Sequence, residues 1–243
     1  MTNKSTVSFG FKEVQPSEKT ELVKGVFHRV AAKYDLMNDA MSLGIHRLWK
    51  NYLIDKIYPE NELDYIDMAG GTGDIAFRIR ERAPKANITI ADINESMLNE
   101  CQKRATGDYK FQVCDAANIP LPDNSFDVYT ISFGLRNVTN IPGALSEAYR
   151  VLKPGGRFYC LEFSQVALPI LDKIYATYSF NIIPALGGLI AGDRDSYRYL
   201  VESIARFPPQ KELEKIISAA RFQEVSHENL GGGIAAIHTG WKI

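Results

Sequence analysis

Short β-rich runs alternate with helical stretches from Leu63 onward, and this alternation constrains the fold more than any other feature of the chain. Parallel strands must be joined by a long crossover, usually a helix, so the alternation predicts an α/β fold with a parallel sheet and helices on both faces. Open sheets of this kind bind ligands at the carboxyl ends of their strands, and we expect the site there. The predicted strands are LDYIDM (63–68), NITIAD (87–92), YKFQVC (109–114), DVYTIS (127–132) and GRFYCLEF (156–163).

Helix candidates lie between these strands. We predict helices at Asp74–Arg82, Glu95–Ala105 and Ile141–Leu152, the last ended by Pro154-Gly155-Gly156. Before the first strand, apolar residues at helical spacing predict one more amphipathic helix. Its apolar positions are Val23, Val26, Phe27, Val30, Ala31 and Tyr34.

Composition narrows the class of protein. A chain of 243 residues fits one domain, and its net charge of -1 offers no general field for a polyanion, so we expect no nucleic-acid partner. The three cysteines Cys101, Cys114 and Cys160 are odd in number and lack CxxC spacing, which indicates a reducing compartment and no zinc site. Met1–Gly10 resembles no secretory signal, so we expect a cytoplasmic address.

A glycine-rich turn, Asp67-Met68-Ala69-Gly70-Gly71-Thr72-Gly73-Asp74, joins the first predicted strand to the first core helix. Glycines let the backbone approach a ligand with no Cβ in the way, so Gly70, Gly71 and Gly73 are candidate ligand contacts. Structural turns use glycine for the same conformational reason, and the turn alone leaves both interpretations open.

A second signal is Asp92, which closes the strand NITIAD about 20 residues after the glycines. At that offset a carboxylate can accept hydrogen bonds from ribose hydroxyls, which indicates a nucleoside cofactor. The alternative is that Asp92 caps the helix that starts near Glu95. After the third strand, Asp115 and Ala116 offer a polar group and a small residue where an adenine ring fits.

The acid that follows the turn separates two cofactor classes. Dinucleotide sites expect GxGxxG, with the pyrophosphate at the helix N-terminus, whereas this chain has AGGTGD. The charge of Asp74 disfavours a pyrophosphate there and favours the ammonium and sulfonium groups of S-adenosylmethionine.

Several long strings carry a family resemblance that covers nearly the whole chain. They resemble the signatures of the ubiquinone/menaquinone biosynthesis C-methyltransferases, of the UbiE/MenG/COQ5 type, in the same order. The strings are VFHRVAAKYDLMNDAMSLGIHRLWK (26–50), DMAGGTGD (67–74), ADINESML (91–98), ISFGLRNV (131–138), YRVLKPGGRFYCLEFS (149–164) and DSYRYLVESI (195–204).

The resemblance implies a Rossmann-like class I methyltransferase fold. We expect one domain with a seven-stranded, mostly parallel sheet, N-terminal helices and a helical insertion before the C-terminal strands. The predicted divisions of residues 1–243 are an N-terminal helical cap (1–60), a cofactor-binding core (61–165), a helical insertion that lines the substrate site (166–205), and a C-terminal helix and strands (206–243).

The resemblance also implies the cofactor, the substrate and further site residues. The cofactor is S-adenosyl-L-methionine, which leaves as S-adenosyl-L-homocysteine. Its expected contacts are Thr72, Asp92, Asp115, Ala116 and Ser132. The expected reaction methylates a ring carbon of a polyprenylated hydroquinone, either 2-methoxy-6-polyprenyl-1,4-benzoquinol, demethylmenaquinol, or both.

Ring-carbon attack needs a phenolate, because a phenol with a pKa of about 10 is mostly protonated at neutral pH. Arg136 could supply a fixed positive charge to favour it; the alternative is an ion pair that only holds the loop. Tyr34, Asp35 and His46, with His28 as a further option, could carry a proton relay from the N-terminal helical region.

A polyprenylated substrate that resides in the lipid bilayer must reach the site from the membrane surface. The stretch 168–191 is apolar but interrupted by charged residues, proline and glycine, which argues against a membrane span. It is either a buried helix pair or the lining of a channel for the isoprenoid tail. We expect peripheral contact at the inner face of the membrane through this stretch or the first helix. A homodimer and contacts with other quinone-biosynthesis enzymes are also expected.

Overall fold

The computed structural model describes residues 6–30, 38, 39, 42, 44–166 and 193–243. Within these ranges the strands are β1 (Val7–Phe9), β2 (Lys12–Val14), β3 (Asp64–Met68), β4 (Asn87–Asp92), β5 (Lys110–Val113), β6 (Phe126–Ser132), β7 (Leu152–Phe163), β8 (Gln223–Leu230) and β9 (Ala235–Trp241). The helices are α1 (Pro16–Val30), α2 (His46–Ile57), α3 (Asp74–Arg82), α4 (Glu95–Arg104), α5 (Ile141–Val151), α6 (Arg194–Arg206) and α7 (Gln210–Ala219).

The main sheet has seven strands in the order β5-β4-β3-β6-β7-β9-β8. Strands β5, β4, β3, β6 and β7 pair in parallel, and β9 runs antiparallel to both of its neighbours. The predicted seven-stranded, mostly parallel sheet is therefore confirmed. From β3 the chain moves to one side of the sheet through β4 and β5, then returns to the other side with β6 and β7. The crevice between β3 and β6 is thus the topological switch point, where ligands of such sheets bind.

Alternating residues of each central strand feed two apolar layers, one on each face of the sheet. In β3, Tyr65 belongs to one layer and Ile66 to the other, because successive side chains of a strand point in opposite directions. Helices α1 to α4 and α6 pack against the first layer, and α5 and α7 pack against the second. Helices therefore cover both faces, as the sequence predicts.

The predicted core elements match with small differences at their ends. Helix α3 has the predicted bounds, whereas α5 ends at Val151, one residue early, because Leu152 already pairs with Phe126 in the sheet. Residues 153–156, which include the predicted stop, form an irregularity between the pairs Phe126–Leu152 and Val128–Arg157. Gly155 there adopts a φ of 82°, which only glycine accepts without strain.

The N-terminal region also holds a small antiparallel hairpin of β1 and β2, which the sequence analysis did not predict. The ring of Phe9 in β1 stacks on Tyr199 of α6, with ring centroids 4.1 Å apart. The hairpin therefore connects the start of the chain to the region before the C-terminal strands. Most of the predicted insertion (166–205) lies outside the described residues, as do Tyr34 and Asp35. The division into regions stays a prediction.

Candidate active site

The glycine turn follows β3 at the switch point and leads directly into α3. Gly73 is the residue before the helix, with a φ of 90°, and a Cβ there would lie 2.6 Å from the sulfur of Cys101. Gly70 is equally restricted, since its Cβ would lie 2.7 Å from a methyl group of Ile90. The turn therefore needs glycine at both positions for packing.

A cavity of about 730 Å³, including its mouth, opens beside this turn at the carboxyl ends of β3, β4 and β6. Asp92 and Asn94 line it from the end of β4, and Phe133 lines it from the loop after β6. The predicted adenine residues, Asp115 and Ala116, contribute a third wall. Its size and mixed lining suit a nucleoside-sized ligand.

Asp92 lies in this cavity at 8% exposure, and its carboxylate is held by two backbone N–H groups. Gly71 N–H donates to one oxygen at 2.9 Å and Asn94 N–H to the other at 2.8 Å. Burial raises the pKa of Asp92 to about 6, against the opposing effect of these donors. The alternative role as a helix cap is wrong, because the side chain of Asn94 caps α4 by accepting from Ser96 N–H at 3.1 Å.

A smaller cavity adjoins the first on the other side of the glycine turn, and the two share Ala69, Gly71 and Phe133. Asp67 lines it at 1% exposure, with one carboxylate oxygen accepting from Thr130 Oγ1 at 2.8 Å. Within the described part of the chain, the other oxygen, Oδ2, has no hydrogen-bond partner, and neither has the hydroxyl of Ser132. Two buried oxygens without partners indicate a place for a donor-bearing ligand group.

Burial raises the pKa of Asp67 to about 7, although hydrogen bonding from Thr130 and from the backbone of Ala76 works against this. Sequence reasoning placed Asp67 in the turn motif but did not select it as a site residue. Its position at the carboxyl end of β3 is the signal that could have found it, since the same position in β4 singled out Asp92.

Asp74 does not carry an isolated negative charge. Its carboxylate accepts from Lys50 Nζ at 2.6 Å and from Arg78 Nε at 2.8 Å. Burial raises the pKa of Asp74, but these two cations outweigh it, and the net shift is downward. Asp74 therefore offers little free negative charge to a cofactor, whereas Asp67 has one carboxylate oxygen, Oδ2, with no partner in the described residues.

Arg136 lies in a short 3₁₀ turn (Leu135–Asn137) after β6, with its side chain buried from solvent. Its Nη1 donates to Glu162 Oε1 at 2.5 Å and to the carbonyl oxygen of Phe133 at 2.6 Å, and burial raises the pKa of Glu162. Arg136 lines neither cavity. The ion pair considered as an alternative is thus present, and a catalytic role for Arg136 stays a prediction.

The histidines lie away from the walls of both cavities. His46, buried at the start of α2, shares a hydrogen bond of 2.8 Å with Asp39, and burial is the main cause that lowers its pKa. His28 shares a hydrogen bond of 3.1 Å with Ser96 and so ties α1 to the start of α4. Proton-relay roles for His28 and His46 stay predictions.

The cavities bring together most of the predicted cofactor residues. Those that line at least one of them are Gly70, Gly71, Thr72, Asp92, Asp115, Ala116 and Ser132. Gly73 lines neither cavity and lies at the end of the turn, directly before α3. In the described ranges no group of three His, Cys, Asp or Glu side chains is placed to hold a metal ion.

Helix α1, which belongs to the N-terminal helical region expected to fold over the cofactor, forms a wall of the larger cavity. Thr20, Val23, Lys24 and Phe27 line the cavity from this helix. Its contact with the core could not be predicted from local spacing, because the opposite wall is formed more than 100 residues later along the chain. Thr20 Oγ1, for example, lies 3.1 Å from Thr139 Oγ1.

Solved structures share this architecture. A possible histamine N-methyltransferase from Thermotoga maritima superimposes with a TM-score of 0.67 at 21% identity, covering 91% of this chain and all of that one. An S-adenosylmethionine-dependent methyltransferase from Aquifex aeolicus gives a TM-score of 0.57 at 13% identity, covering 95% of this chain and all of that one. The fold is therefore that of the class I S-adenosylmethionine-dependent methyltransferases.

The family follows from sequence comparison. Residues 6–242 match the ubiE/COQ5 methyltransferase family. The ubiquinone/menaquinone biosynthesis C-methyltransferase UbiE of Brucella anthropi is 55% identical, covering 97% of this chain and 93% of that protein. The UbiE of Dinoroseobacter shibae is 52% identical, covering 98% and 97%. The chain belongs to the ubiE/COQ5 methyltransferase family and is a methyltransferase.

Proposed function

We propose that the protein uses S-adenosyl-L-methionine to methylate a ring carbon of a polyprenylated hydroquinone in ubiquinone or menaquinone biosynthesis. The observation that carries the proposal is the pair of adjoining cavities at the switch point of a chain that matches this family over residues 6–242. The expected acceptors are 2-methoxy-6-polyprenyl-1,4-benzoquinol, demethylmenaquinol, or both.

The residues present fit the proposed cofactor. Asp92 would accept hydrogen bonds from the ribose hydroxyls, since each carboxylate oxygen has a lone pair beyond its backbone donor. Asp67 Oδ2 and Ser132 Oγ, which have no partners in the described part of the chain, would bind the ammonium of the methionine portion. Asp115 and Ala116 would contact the adenine ring from the larger cavity.

When bound, the cofactor supplies an electrophilic methyl group, so the protein must orient the ring carbon and stabilise the phenolate. Arg136 has two guanidinium nitrogens, Nε and Nη2, with no partner in the described ranges, although its buried side chain lines neither cavity. Because Glu162 neutralises its charge, any effect of Arg136 on the substrate would come through these donors rather than through a free positive charge. Helix α1 would exclude water from the larger cavity.

A direct assay tests the reaction. Purified protein is incubated with methyl-labelled S-adenosylmethionine and, separately, with each of the two demethylated quinols. We expect label on a ring carbon of at least one quinol, located by mass spectrometry. Cofactor binding without transfer to either quinol would refute the proposed substrate class.

We also propose a cytoplasmic protein that contacts the membrane surface to reach its substrate. In the described residues no helix is both long and apolar enough to cross a membrane. Helix α1 turns Val23 and Val26 inward, which disfavours it as the contact. The expected contact stretch 168–191 lies outside the described residues, and among the described helices α2 is a better candidate than α1, because Ile45 beside it and Leu48 within it are 41% and 66% exposed. Cosedimentation with liposomes should drop when Leu48 is replaced by Ser.

A homodimer and association with other quinone-biosynthesis enzymes also stay predictions.

A further inference from the structure

Asn137 lines the larger cavity from the end of the 3₁₀ turn that follows β6. Its backbone is fixed by a hydrogen bond of 3.0 Å from its N–H to the carbonyl of Gly134. An asparagine amide has one oxygen that accepts and one NH₂ group that donates, so its orientation decides which of them meets a ligand.

Tyr199 contacts the amide of Asn137. Its hydroxyl donates to Asn137 Oδ1 at 3.0 Å, which engages the amide oxygen. Within the described part of the chain the Nδ2 group of Asn137 donates to no other residue. With its oxygen engaged by Tyr199, the amide of Asn137 keeps its NH₂ donors for a ligand in the cavity that this residue lines.

Tyr199 is itself held in place. It lies on α6 at 4% exposure, and its ring stacks on Phe9 at a centroid distance of 4.1 Å and an interplanar angle of 18°. Burial raises the pKa of Tyr199, so its hydroxyl stays protonated and acts as a donor. In the observed arrangement the hydroxyl donates to the amide oxygen, which leaves the NH₂ group of Asn137 for another partner.

We propose that Tyr199 is a positioning residue, which aims the NH₂ group of Asn137 at an oxygen of the methyl acceptor. This rests on the proposed function, in which the acceptor is a hydroquinone with ring oxygens beside the reacting carbon. A correctly aimed donor would stabilise the negative charge that builds up on such an oxygen as the phenol gives up its proton. Without Tyr199, either amide orientation is open, and the acceptor oxygen of the amide would repel that charge.

The test compares Tyr199→Phe with Tyr197→Phe. The first variant removes only the hydroxyl and keeps the ring that stacks on Phe9. The second removes a hydroxyl from a buried tyrosine of the same helix, and that hydroxyl has no partner in the described residues. We expect Tyr199→Phe to lower kcat/KM for the quinol about tenfold, with the Kd of S-adenosylmethionine within about twofold of the wild type. Tyr197→Phe should leave both values near the wild type.

A double-mutant cycle with Asn137→Ala separates positioning from a merely structural role. If Tyr199 acts through Asn137, adding Tyr199→Phe to Asn137→Ala should lower kcat/KM no further. Additive losses would overturn the proposal. So would an equal loss of cofactor affinity in Tyr199→Phe, which would assign the amide to the cofactor instead.

The failures of the two proposals are distinguishable. If the wild type transfers no methyl group to either quinol, the proposed function fails. If the wild type is active and Tyr199→Phe, folded with a wild-type Tm, is equally active, only the role of Tyr199 fails.

Discussion

Asp67 and Asp92 are two buried carboxylates on neighbouring strands, yet they have different partners. Both oxygens of Asp92 accept backbone hydrogen bonds, whereas Oδ2 of Asp67 has no partner in the described residues. Burial raises the pKa of Asp92 to about 6 and that of Asp67 to about 7. Asp67 is therefore the group whose charge a bound ammonium would change most.

This difference predicts a pH dependence of cofactor binding. A bound ammonium favours the ionised carboxylate, so the pKa of Asp67 is lower in the complex than in the free protein. Affinity should thus be full above pH 7 and fall, by up to about tenfold per pH unit, as Asp67 in the free protein becomes protonated. Calorimetry at pH 6 should detect proton release on binding.

Asp67→Asn is the matched variant, because the amide keeps the shape but does not titrate. It should bind more weakly at pH 8 and show a flatter profile between pH 6 and 8, with the remaining slope due to Asp92. A profile as steep as that of the wild type would show that Asp67 is not the group that titrates.

Variants of Arg136 test whether this residue takes part in catalysis or only holds its loop through the ion pair with Glu162. Removing one partner of a buried ion pair leaves an uncompensated charge, so Arg136→Met should lower the free energy of unfolding by roughly 3–5 kcal/mol. Adding Glu162→Gln removes that charge while its amide oxygen can still accept from the N–H of Phe163, and stability should largely return. We expect the double variant to bind cofactor but not to turn over. Wild-type turnover in this variant would mean that Arg136 only holds the loop.

Some residues of the candidate site can be predicted from the sequence and others cannot. Asp92 could be found because a carboxylate at a strand end has a known meaning in this sheet type. The partnership of Arg136 with Glu162 could not, because it depends on two strand ends meeting and on burial, neither of which leaves a local pattern.

At the scale of elements, helix α1 forms a wall of the larger cavity and is held by hydrogen bonds to two other segments of the chain. Lys19 Nζ donates to the carbonyl of Val138 at 3.2 Å, and Asn94 Nδ2 donates to the carbonyl of Lys24 at 3.3 Å. Since side chains of α1 also line the cavity, we predict that α1 shifts when the cofactor enters or leaves.

A disulfide between cysteines at positions 20 and 139 tests whether α1 must move, because the hydroxyls of Thr20 and Thr139 are 3.1 Å apart and paired cysteines there can be oxidised to link α1 to the opposite wall. Oxidation of Thr20→Cys/Thr139→Cys should slow the dissociation of preloaded S-adenosylhomocysteine at least about tenfold, and reduction should restore it. The three native cysteines are buried and should not compete. Equal rates in the oxidised and reduced forms would show that the cofactor passes without movement of α1.

Elements with strong patterns were predicted almost to the residue. The strand Asn87–Asp92 and the helix Asp74–Arg82 match because each has a run of apolar residues bounded by clear turn or capping signals. The hairpin of β1 and β2 was missed because strands of three residues, Val7–Phe9 and Lys12–Val14, are too short for alternation to register.

At the scale of the whole molecule, both cavities lie where the strand order reverses, between β3 and β6. The fold brings the ends of β3, β4 and β6 and the start of the chain to one place, although they are distant in sequence. Fold class and cofactor edge were predictable from the alternation of elements, whereas the individual residues by which α1 lines the cavity depend on tertiary packing.

The central claim is that a methyl-donating nucleoside binds across the glycine turn between Asp67 and Asp92. The most direct measurement is a crystal structure of the protein with S-adenosylhomocysteine. We predict the ribose hydroxyls within hydrogen-bond distance of Asp92 and the amino group within hydrogen-bond distance of Asp67 Oδ2. A ligand bound outside the two cavities, or lying with neither carboxylate in reach, would contradict the account.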